Sequence, residues 1–180
     1  MIRRTLLVLA LISASILVPG APAGAAVLPS GFTDTFVAGI AGPTALAFTP
    51  DGRMLVTTQG GLLRVVQNNA LLASPALDLT GRICSTSERG LLGVAVDPDF
   101  AGNRFVYLYY THNTFGACVN RVSRWVLGDD NAASGEVVLL DRIHSTAGNH
   151  NGGDLNFGKD GALYVSVGDG GCDYASPSNC

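Results

Sequence analysis

The feature that most limits the possible fold is a unit that recurs along the chain: a short apolar strand, a turn built on aspartate, and a second apolar strand. Asp51, Asp97 and Asp160 occupy the same place in three such units. A repeat of roughly 40–50 residues made of strands alone is typical of a β-propeller blade. The sequence therefore predicts an all-β protein with a β-propeller architecture.

The predicted strands alternate apolar and polar residues and end at Gly, Asp, Asn or Pro, which is the pattern of half-buried β-structure. They cover residues 45–48, 54–58, 62–66, 91–96, 104–111, 118–127, 136–143, 154–157 and 163–167. A β-sandwich is the competing architecture, but it does not explain why the same turn chemistry returns in each unit. Propellers close with 4–8 blades and only about three are visible here. We therefore expect residues 26–180 to form the amino-terminal part of a propeller domain.

Residues 1–25 are predicted to be a secretory signal peptide and not part of the fold. A basic start at Arg3 and Arg4 precedes an apolar stretch, and small residues suited to cleavage follow it. The alternative is a membrane anchor, but the apolar stretch is shorter than the ~20 residues that a spanning helix requires. We expect a secreted protein, extracellular or periplasmic, without a membrane span.

Export would place the cysteines in an oxidising compartment, where disulfides form and persist. The chain contains Cys84, Cys118, Cys172 and Cys180, and none is spaced as a CxxC zinc motif. Four cysteines allow three pairings, and sequence alone does not choose among them. Proximity along the chain favours Cys84 with Cys118 and Cys172 with Cys180, with free buried thiols as the alternative.

The charge of the chain bears on its partners. The formal net charge is −3, and charged residues make up 14% of the chain. They form no basic stripe of the kind that neutralises phosphates, which argues against a nucleic-acid partner or an anionic membrane surface. Composition by itself indicates an exported, turn-rich, mostly β protein.

A candidate catalytic pair lies at the two ends of one predicted hairpin. His150 stands at the start of one strand and Asp169 just past the end of the next, and the turn between these strands contains Asp160 and Gly161. Because a hairpin brings its two ends back together, the side chains of His150 and Asp169 are expected to lie side by side. A histidine oriented by a carboxylate is the arrangement of a general base that works near neutral pH. The alternative is a histidine that only caps a turn.

Two motifs in the chain resemble a known family. One covers residues 88–100, and the other combines His-Asn-Gly-Gly at 150–153 with residues 157–161 and Gly-Asp-Gly-Gly at 168–171. Together they resemble the secreted propellers of the quinoprotein glucose/sorbosone (aldose sugar) dehydrogenase family, which includes hedgehog-interacting-protein-like propellers. A weaker similarity over residues 43–66 corresponds to the first blade of that family.

This resemblance implies a six-bladed propeller that binds pyrroloquinoline quinone (PQQ), with calcium holding the quinone. It implies a catalytic base at His150 with Asp169 as its acidic partner, and a cofactor contact for Glu88, Arg89 and Asn149. Glu88 stands where the dehydrogenases have glutamine, and Asn149 where the glucose enzyme has aspartate. The basic residues for the quinone and the calcium ligands of the family are expected beyond residue 180, so no metal ligand is predicted within this chain.

Three classes of function follow from these features. The first is a PQQ-dependent oxidoreductase that oxidises aldose sugars by passing hydride from C1 to the quinone, with the sugar and an electron acceptor as partners. The second is a catalytically silent propeller that binds a carbohydrate or a protein, which the glutamate at position 88 favours. The third is a metal-dependent lactonase-type hydrolase, for which the sequence shows no convergent ligand set. We expect dehydrogenase activity of a full-length protein and not of three blades alone.

Overall fold

The structure, a computed structural model, describes residues 27–171 of the 180-residue chain. The predicted signal peptide and the cysteines at 172 and 180 lie outside the described residues. Within residues 27–171, no helix is long and apolar enough to cross a membrane. Residues 27–36 contain a turn closed by a hydrogen bond from the Phe32 amide to the Pro29 carbonyl. The strands described below lie within residues 37–171.

Eleven strands and one short helix are present in residues 37–171. They are β1 (Pro43–Phe48), β2 (Met54–Thr58), β3 (Leu62–Gln67), β4 (Ala70–Leu71), β5 (Leu77–Asp78), β6 (Leu91–Val96), α1 (Phe100–Asn103), β7 (Phe105–Thr114), β8 (Ala117–Leu127), β9 (Ala133–Ile143), β10 (Gly152–Phe157) and β11 (Leu163–Val167). The nine predicted strands are all present, and β2, β6 and β11 have the predicted bounds. The two-residue strands β4 and β5 and the helix α1 were not predicted.

The strands form three successive antiparallel sheets, which we call blades 1, 2 and 3. Blade 1 has the order β1-β2-β3-β4, with β5 also paired to β3. Blade 2 has the order β6-β7-β8-β9, and blade 3 contains β10 and β11. Apart from β5, each strand pairs with its neighbour along the chain, as in the up-and-down blades of a propeller. The three units predicted from the aspartate turns correspond to these three blades.

The aspartates in the three repeated turns bind donors of their own loops, which explains why this residue recurs there. Asp97 accepts a hydrogen bond from the amide two residues later at 2.9 Å, and Asp160 does the same at 3.0 Å. This is the local side-chain-to-backbone bond that favours aspartate in turns. Asp51 instead accepts the Thr49 hydroxyl at 2.5 Å and pairs with the Arg53 guanidinium at 2.8 Å.

Two apolar cores lie on opposite faces of blade 2. The core shared with blade 1 includes Leu55, Leu63, Phe100, Leu108, Tyr110 and Trp125. The core shared with blade 3 comprises Ala95, Tyr109, Val122 and Leu155. Tyr109 and Tyr110 are neighbours in β7 and both are fully buried. Successive strand residues point to opposite faces of a sheet, so this strand supplies one tyrosine to each core.

Blades 2 and 3 meet at a pair of glycines. A Cβ atom on Gly93 would lie 1.9 Å from the carbonyl oxygen of Gly153, so β6 and β10 approach each other only because residue 93 has no side chain. Gly153 has a φ of +121°, and a Cβ atom there would lie 2.9 Å from the Tyr109 ring. These two glycines fix the spacing between blade 2 and β10, the strand that follows His150.

A disulfide joins Cys84, in the loop before β6, to Cys118 in β8, with the two Cα atoms 6.0 Å apart. Of the two pairings that proximity favoured, Cys84 with Cys118 is therefore confirmed, and Cys172 with Cys180 stays a prediction. The Cys84 amide also donates to the Thr111 carbonyl at 2.9 Å, which holds this loop against β7. Residues 85–90, which follow directly, reach the candidate site described next.

Candidate active site

The predicted neighbours His150 and Asp169 are in contact. His150 lies two residues before the start of β10 and Asp169 two residues after the end of β11, and Gly152 pairs with Val167 at the end of the hairpin. The Nδ1 atom of His150 lies 2.9 Å from Oδ1 of Asp169. The expectation that a hairpin brings these side chains together is confirmed; their chemical role remains a prediction.

The contact with Asp169 determines which nitrogen of the imidazole is free to accept a proton. An ionised carboxylate only accepts hydrogen bonds, so the Nδ1–H of His150 donates to Asp169 and the lone pair lies on Nε2. The same Asp169 oxygen also accepts the Gly171 amide at 3.0 Å, which fixes the carboxylate. The His150 side chain is 54% exposed, so Nε2 is accessible to a bound molecule.

The neighbour of His150, Asn151, is a buried anchor that the sequence analysis did not identify. Its Oδ1 accepts hydrogen bonds from Asn120 at 3.1 Å and from the Ser145 hydroxyl at 2.6 Å. Its Nδ2 donates to the Gly148 carbonyl at 3.2 Å, and its own carbonyl accepts the Tyr109 hydroxyl at 2.7 Å. Asn151 therefore ties the segment that carries His150 to blade 2.

Tyr109 can serve this anchor only as a hydrogen-bond donor. Burial raises the pKa of its hydroxyl to about 12, so the group stays protonated across the working pH range. A buried phenol needs a partner because an unsatisfied buried hydroxyl is unfavourable. The Asn151 carbonyl provides that partner, and blade 2 is thereby hydrogen-bonded to the residue next to the candidate base.

Glu88 contacts the backbone of the candidate base. Its Oε2 accepts the amide N–H of His150 at 2.7 Å. Its own amide donates to the Gly148 carbonyl at 3.1 Å. Glu88 lies 62 residues before His150 in the chain, and it reaches the site because the loop before β6 lies beside the segment before β10.

The guanidinium of Arg89 holds the loop between β9 and β10. Its Nε donates to the Ser145 hydroxyl at 3.2 Å, and its NH2 group donates to the Thr146 carbonyl at 2.9 Å and to the Ser145 carbonyl. Gly148 packs against this guanidinium so closely that a Cβ atom there would lie 3.0 Å from it. In this structure Arg89 binds the loop that leads to His150.

Asn149 lies beside the pair with one unused acceptor. Its side-chain Oδ1 is buried and has no hydrogen-bond partner among the described residues. A Cβ atom on Gly171 would lie 2.2 Å from this oxygen, so glycine is required at 171. Glu88, Arg89 and Asn149, predicted as one group, thus all lie in or against the segment that presents His150.

Three antiparallel blades with a histidine–carboxylate pair at the open ends of one hairpin define a β-propeller with a candidate acid–base site. The sequence model of the Glucose / Sorbosone dehydrogenase family matches residues 40–178, and the chain belongs to this family. The resemblance noted from the two motifs and the predicted all-β propeller fold are both confirmed.

Relatives and solved structures agree with this assignment. Aldose sugar dehydrogenase YliI of Escherichia coli (strain K12) is 34% identical over 131 residues, which are 71% of this chain and 35% of that protein. Hedgehog-interacting protein of Mus musculus is 28% identical over 151 residues, which are 74% of this chain and 21% of that protein. The PQQ-bound form of aldose sugar dehydrogenase from Streptomyces coelicolor matches with a TM-score of 0.64 and 27% identity, covering 74% of this chain and 40% of that one. The chain therefore spans well under half the length of these proteins.

The described residues fit the proton-accepting part of a PQQ site but not the part that would bind the carboxylates of the quinone. The accessible Nε2 of His150, backed by Asp169, fits the proton-accepting part. The carboxylates of PQQ need cations or N–H donors as partners. The side chains that contact His150 are instead the carboxylates of Glu88 and Asp169. The nearby Arg89 guanidinium is bonded to loop carbonyls, so the partners of the PQQ carboxylates are expected elsewhere. Within residues 27–171, no group of three or more His, Cys, Asp or Glu side chains is arranged to hold a metal ion.

Proposed function

We propose that the protein is an exported, PQQ-dependent oxidoreductase that oxidises aldose sugars. The observation that carries the proposal is the 2.9 Å contact between His150 Nδ1 and Asp169 Oδ1 in a member of the sugar dehydrogenase family. Residues 26–180 would supply the first blades of the propeller and the base. The sugar and an electron acceptor would be its partners.

In this proposal His150 is the catalytic base. Its Nε2 accepts the proton of the C1 hydroxyl while hydride leaves C1, so the aldose becomes a lactone. The Asp169 carboxylate keeps the proton on Nδ1 and stabilises the imidazolium that forms, as a carboxylate hydrogen-bonded to a histidine base does in other enzymes. When bound, PQQ would accept the hydride. The family resemblance implies that calcium would hold the quinone, through ligands outside the described residues.

Export is part of the same proposal. The predicted signal peptide at residues 1–25 supports it, and so does the Cys84–Cys118 disulfide, because such bonds persist in oxidising compartments. Amino-terminal sequencing of exported material tests it: a mature chain starting near Ala26 is expected, and an intact Met1 would contradict it.

The catalytic roles are tested by two substitutions in the full-length protein loaded with PQQ and calcium. The reduction of an artificial electron acceptor by aldoses is measured. His150→Gln is expected to lower kcat by about 10²–10⁴-fold, the usual contribution of a positioned base. Asp169→Asn is expected to cost less, because it misorients the base without removing it. Asp154→Asn is the matched control, since this exposed carboxylate contacts Asn156 and not the pair.

Quinone affinity, followed by titration with PQQ, separates the base from a cofactor ligand. We expect His150→Gln to leave this affinity largely unchanged, since proton acceptance matters in the transition state more than in cofactor binding. Near-full turnover in His150→Gln would show that the base is misassigned. A full-length wild-type protein that neither binds PQQ nor oxidises any aldose would refute the enzyme proposal.

The second candidate is a catalytically silent propeller that binds a carbohydrate or a protein. The observation that favours it is the position of the Glu88 carboxylate against the His150 amide, which adds negative charge beside the place where a carboxylated cofactor would lie. The same titration separates the two candidates. A protein of this second class would neither bind PQQ nor oxidise aldoses.

A further inference from the structure

The backbone of His150 adopts a conformation that its own side chain disfavours. Its φ is +54°, in the left-handed region that residues with a Cβ atom rarely occupy. Such a conformation persists when contacts from the surrounding structure impose it. The contacts that act on the His150 backbone therefore determine where its imidazole points.

Two hydrogen bonds hold this backbone, one on each side of the His150 Cα atom. On the carbonyl side, the His150 oxygen accepts the Gly170 amide at 3.1 Å. On the amide side, the His150 N–H donates to Oε2 of Glu88 at 2.7 Å. A hydrogen bond to a charged acceptor is stronger than one between neutral groups, so Glu88 provides the stronger of these two backbone bonds.

We propose that Glu88 is a positioning residue, which holds the left-handed backbone of His150 and thereby places Nδ1 of the imidazole on Asp169. This proposal rests on the function proposed above, because it concerns the base of that reaction. In this proposal the Glu88 side chain binds the backbone amide of His150, and not the cofactor as the family resemblance implied. Glu88 does not touch the reacting atoms in this assignment.

The segment around Glu88 is itself well fixed, which a positioning role requires. Its amide is bonded to the Gly148 carbonyl, and the next residue, Arg89, holds Ser145 and Thr146. Four residues earlier, Cys84 is cross-linked to β8. The carboxylate therefore extends from a rigid loop to the residue that it orients.

The proposal distinguishes an acceptor role from a charge role. Glutamine at position 88 keeps a carbonyl oxygen that can accept the His150 N–H, whereas alanine removes the acceptor. We therefore expect Glu88→Gln to retain the geometry and Glu88→Ala to lose it. Asp154→Asn removes an exposed carboxylate that bonds Asn156, and it is the control for loss of a nearby charge.

The first test is nuclear magnetic resonance on the protein without cofactor. The ring ¹⁵N shifts of His150 report whether the proton lies on Nδ1, and hydrogen exchange reports the protection of its amide. In Glu88→Ala we expect amide exchange to become roughly tenfold faster or more, since a bond to a charged group is lost, and the Nδ1–H form to become mixed with the other tautomer. Wild type, Glu88→Gln and Asp154→Asn should keep both signatures.

The Thr111 amide, which donates to the Gly90 carbonyl at 2.8 Å, is the internal reference for intact blade structure. If Glu88→Ala keeps the tautomer and the slow exchange of His150, the proposal is wrong. It is also wrong if Glu88→Gln loses them, or if the Thr111 amide loses protection together with that of His150, because Glu88 would then act through charge or through the fold.

The second test is kinetic and uses the full-length protein loaded with PQQ. Misplacement of a catalytic group by about 1 Å can cost about 10²-fold, so Glu88→Ala should lower kcat by up to that factor with KM and quinone affinity unchanged. A loss confined to quinone affinity would overturn the positioning role. If wild type oxidises no aldose, the proposed function fails, and the resonance experiment still decides whether Glu88 orients His150.

Discussion

Loss of the Cys84–Cys118 disulfide is expected to lower the free energy of unfolding by about 3.8 kcal/mol. The two cysteines are 34 residues apart in the chain. The chain-entropy relation assigns about 12.6 cal/mol/K to closing a loop of that length in the unfolded state, which is about 3.8 kcal/mol at 25 °C. The closed loop contains β6, α1 and β7, so it includes the centre of blade 2.

The structure indicates that nearly all of this effect falls on the unfolded state. Without the cross-link, the loop that carries Cys84 would still be held against β7 by two backbone hydrogen bonds. These run from the Cys84 amide to the Thr111 carbonyl and from the Asn113 amide to the Arg82 carbonyl, both at 2.9 Å. The folded state should therefore keep its geometry, and the unfolded chain should gain conformational freedom.

The measurement is urea unfolding of the wild type and of the Cys84→Ser/Cys118→Ser double variant under oxidising conditions. This variant leaves Cys172 and Cys180 unchanged, so a second disulfide does not contribute to the difference. Wild type treated with reductant and the double variant treated in the same way should have equal stability, which controls for the serine side chains. A difference below about 1 kcal/mol between the oxidised proteins would refute the loop-entropy argument.

Two further predictions concern the repeated turn and the contact between blades. The hydrogen bond from the Arg53 guanidinium holds the pKa of Asp51 well below its usual range, so its stabilising effect is present above the unfolded pKa near 3.9 and is lost as pH falls below it. In Asp51→Asn the urea midpoint should therefore fall less steeply between pH 5 and pH 2 than in wild type, and an unchanged slope would contradict this. Gly93→Ala would place a Cβ atom 1.9 Å from the Gly153 carbonyl oxygen, so its unfolding free energy should fall by about 1–3 kcal/mol or more. Gly60→Ala, where a Cβ atom has open space, is its control, and equal losses in thermal unfolding would refute the packing argument.

The parts of the fold that sequence reasoning predicted depend on local patterns. Short apolar runs bounded by turn residues placed the nine strands, although burial does not alternate in all of them: residues 55–58 of β2 are all buried and most of β9 is exposed. The contact between His150 and Asp169 was predictable because one hairpin joins them and its turn is marked by Asp160 and Gly161. Strands β4 and β5, with two residues each, are too short to show a period.

The parts of the site that the sequence did not predict depend on contacts between distant segments. Asn151 is a polar residue in a glycine-rich stretch, and only its burial beneath Tyr109 and Asn120 identifies it as an anchor. The Glu88 carboxylate reaches the His150 amide across 62 residues of chain, and no local period encodes such a contact. Arg89 was predicted near the cofactor from the family motif, whereas its partners in this structure are the carbonyls of a loop.

Residues 150–153 combine the candidate catalytic group with its anchor, because exposed and buried residues alternate there. His150 is exposed and Asn151 buried, and Gly152 and Gly153 continue the alternation. His150, Gly152 and Gly153 all have positive φ values, so this alternation comes from turns and not from a regular strand. The close approach of the two ends of the hairpin depends on glycine, since a Cβ atom on Gly168 would lie 1.8 Å from the His150 carbonyl oxygen. The glycines that flank the pair thus allow the backbone approach that brings His150 and Asp169 together.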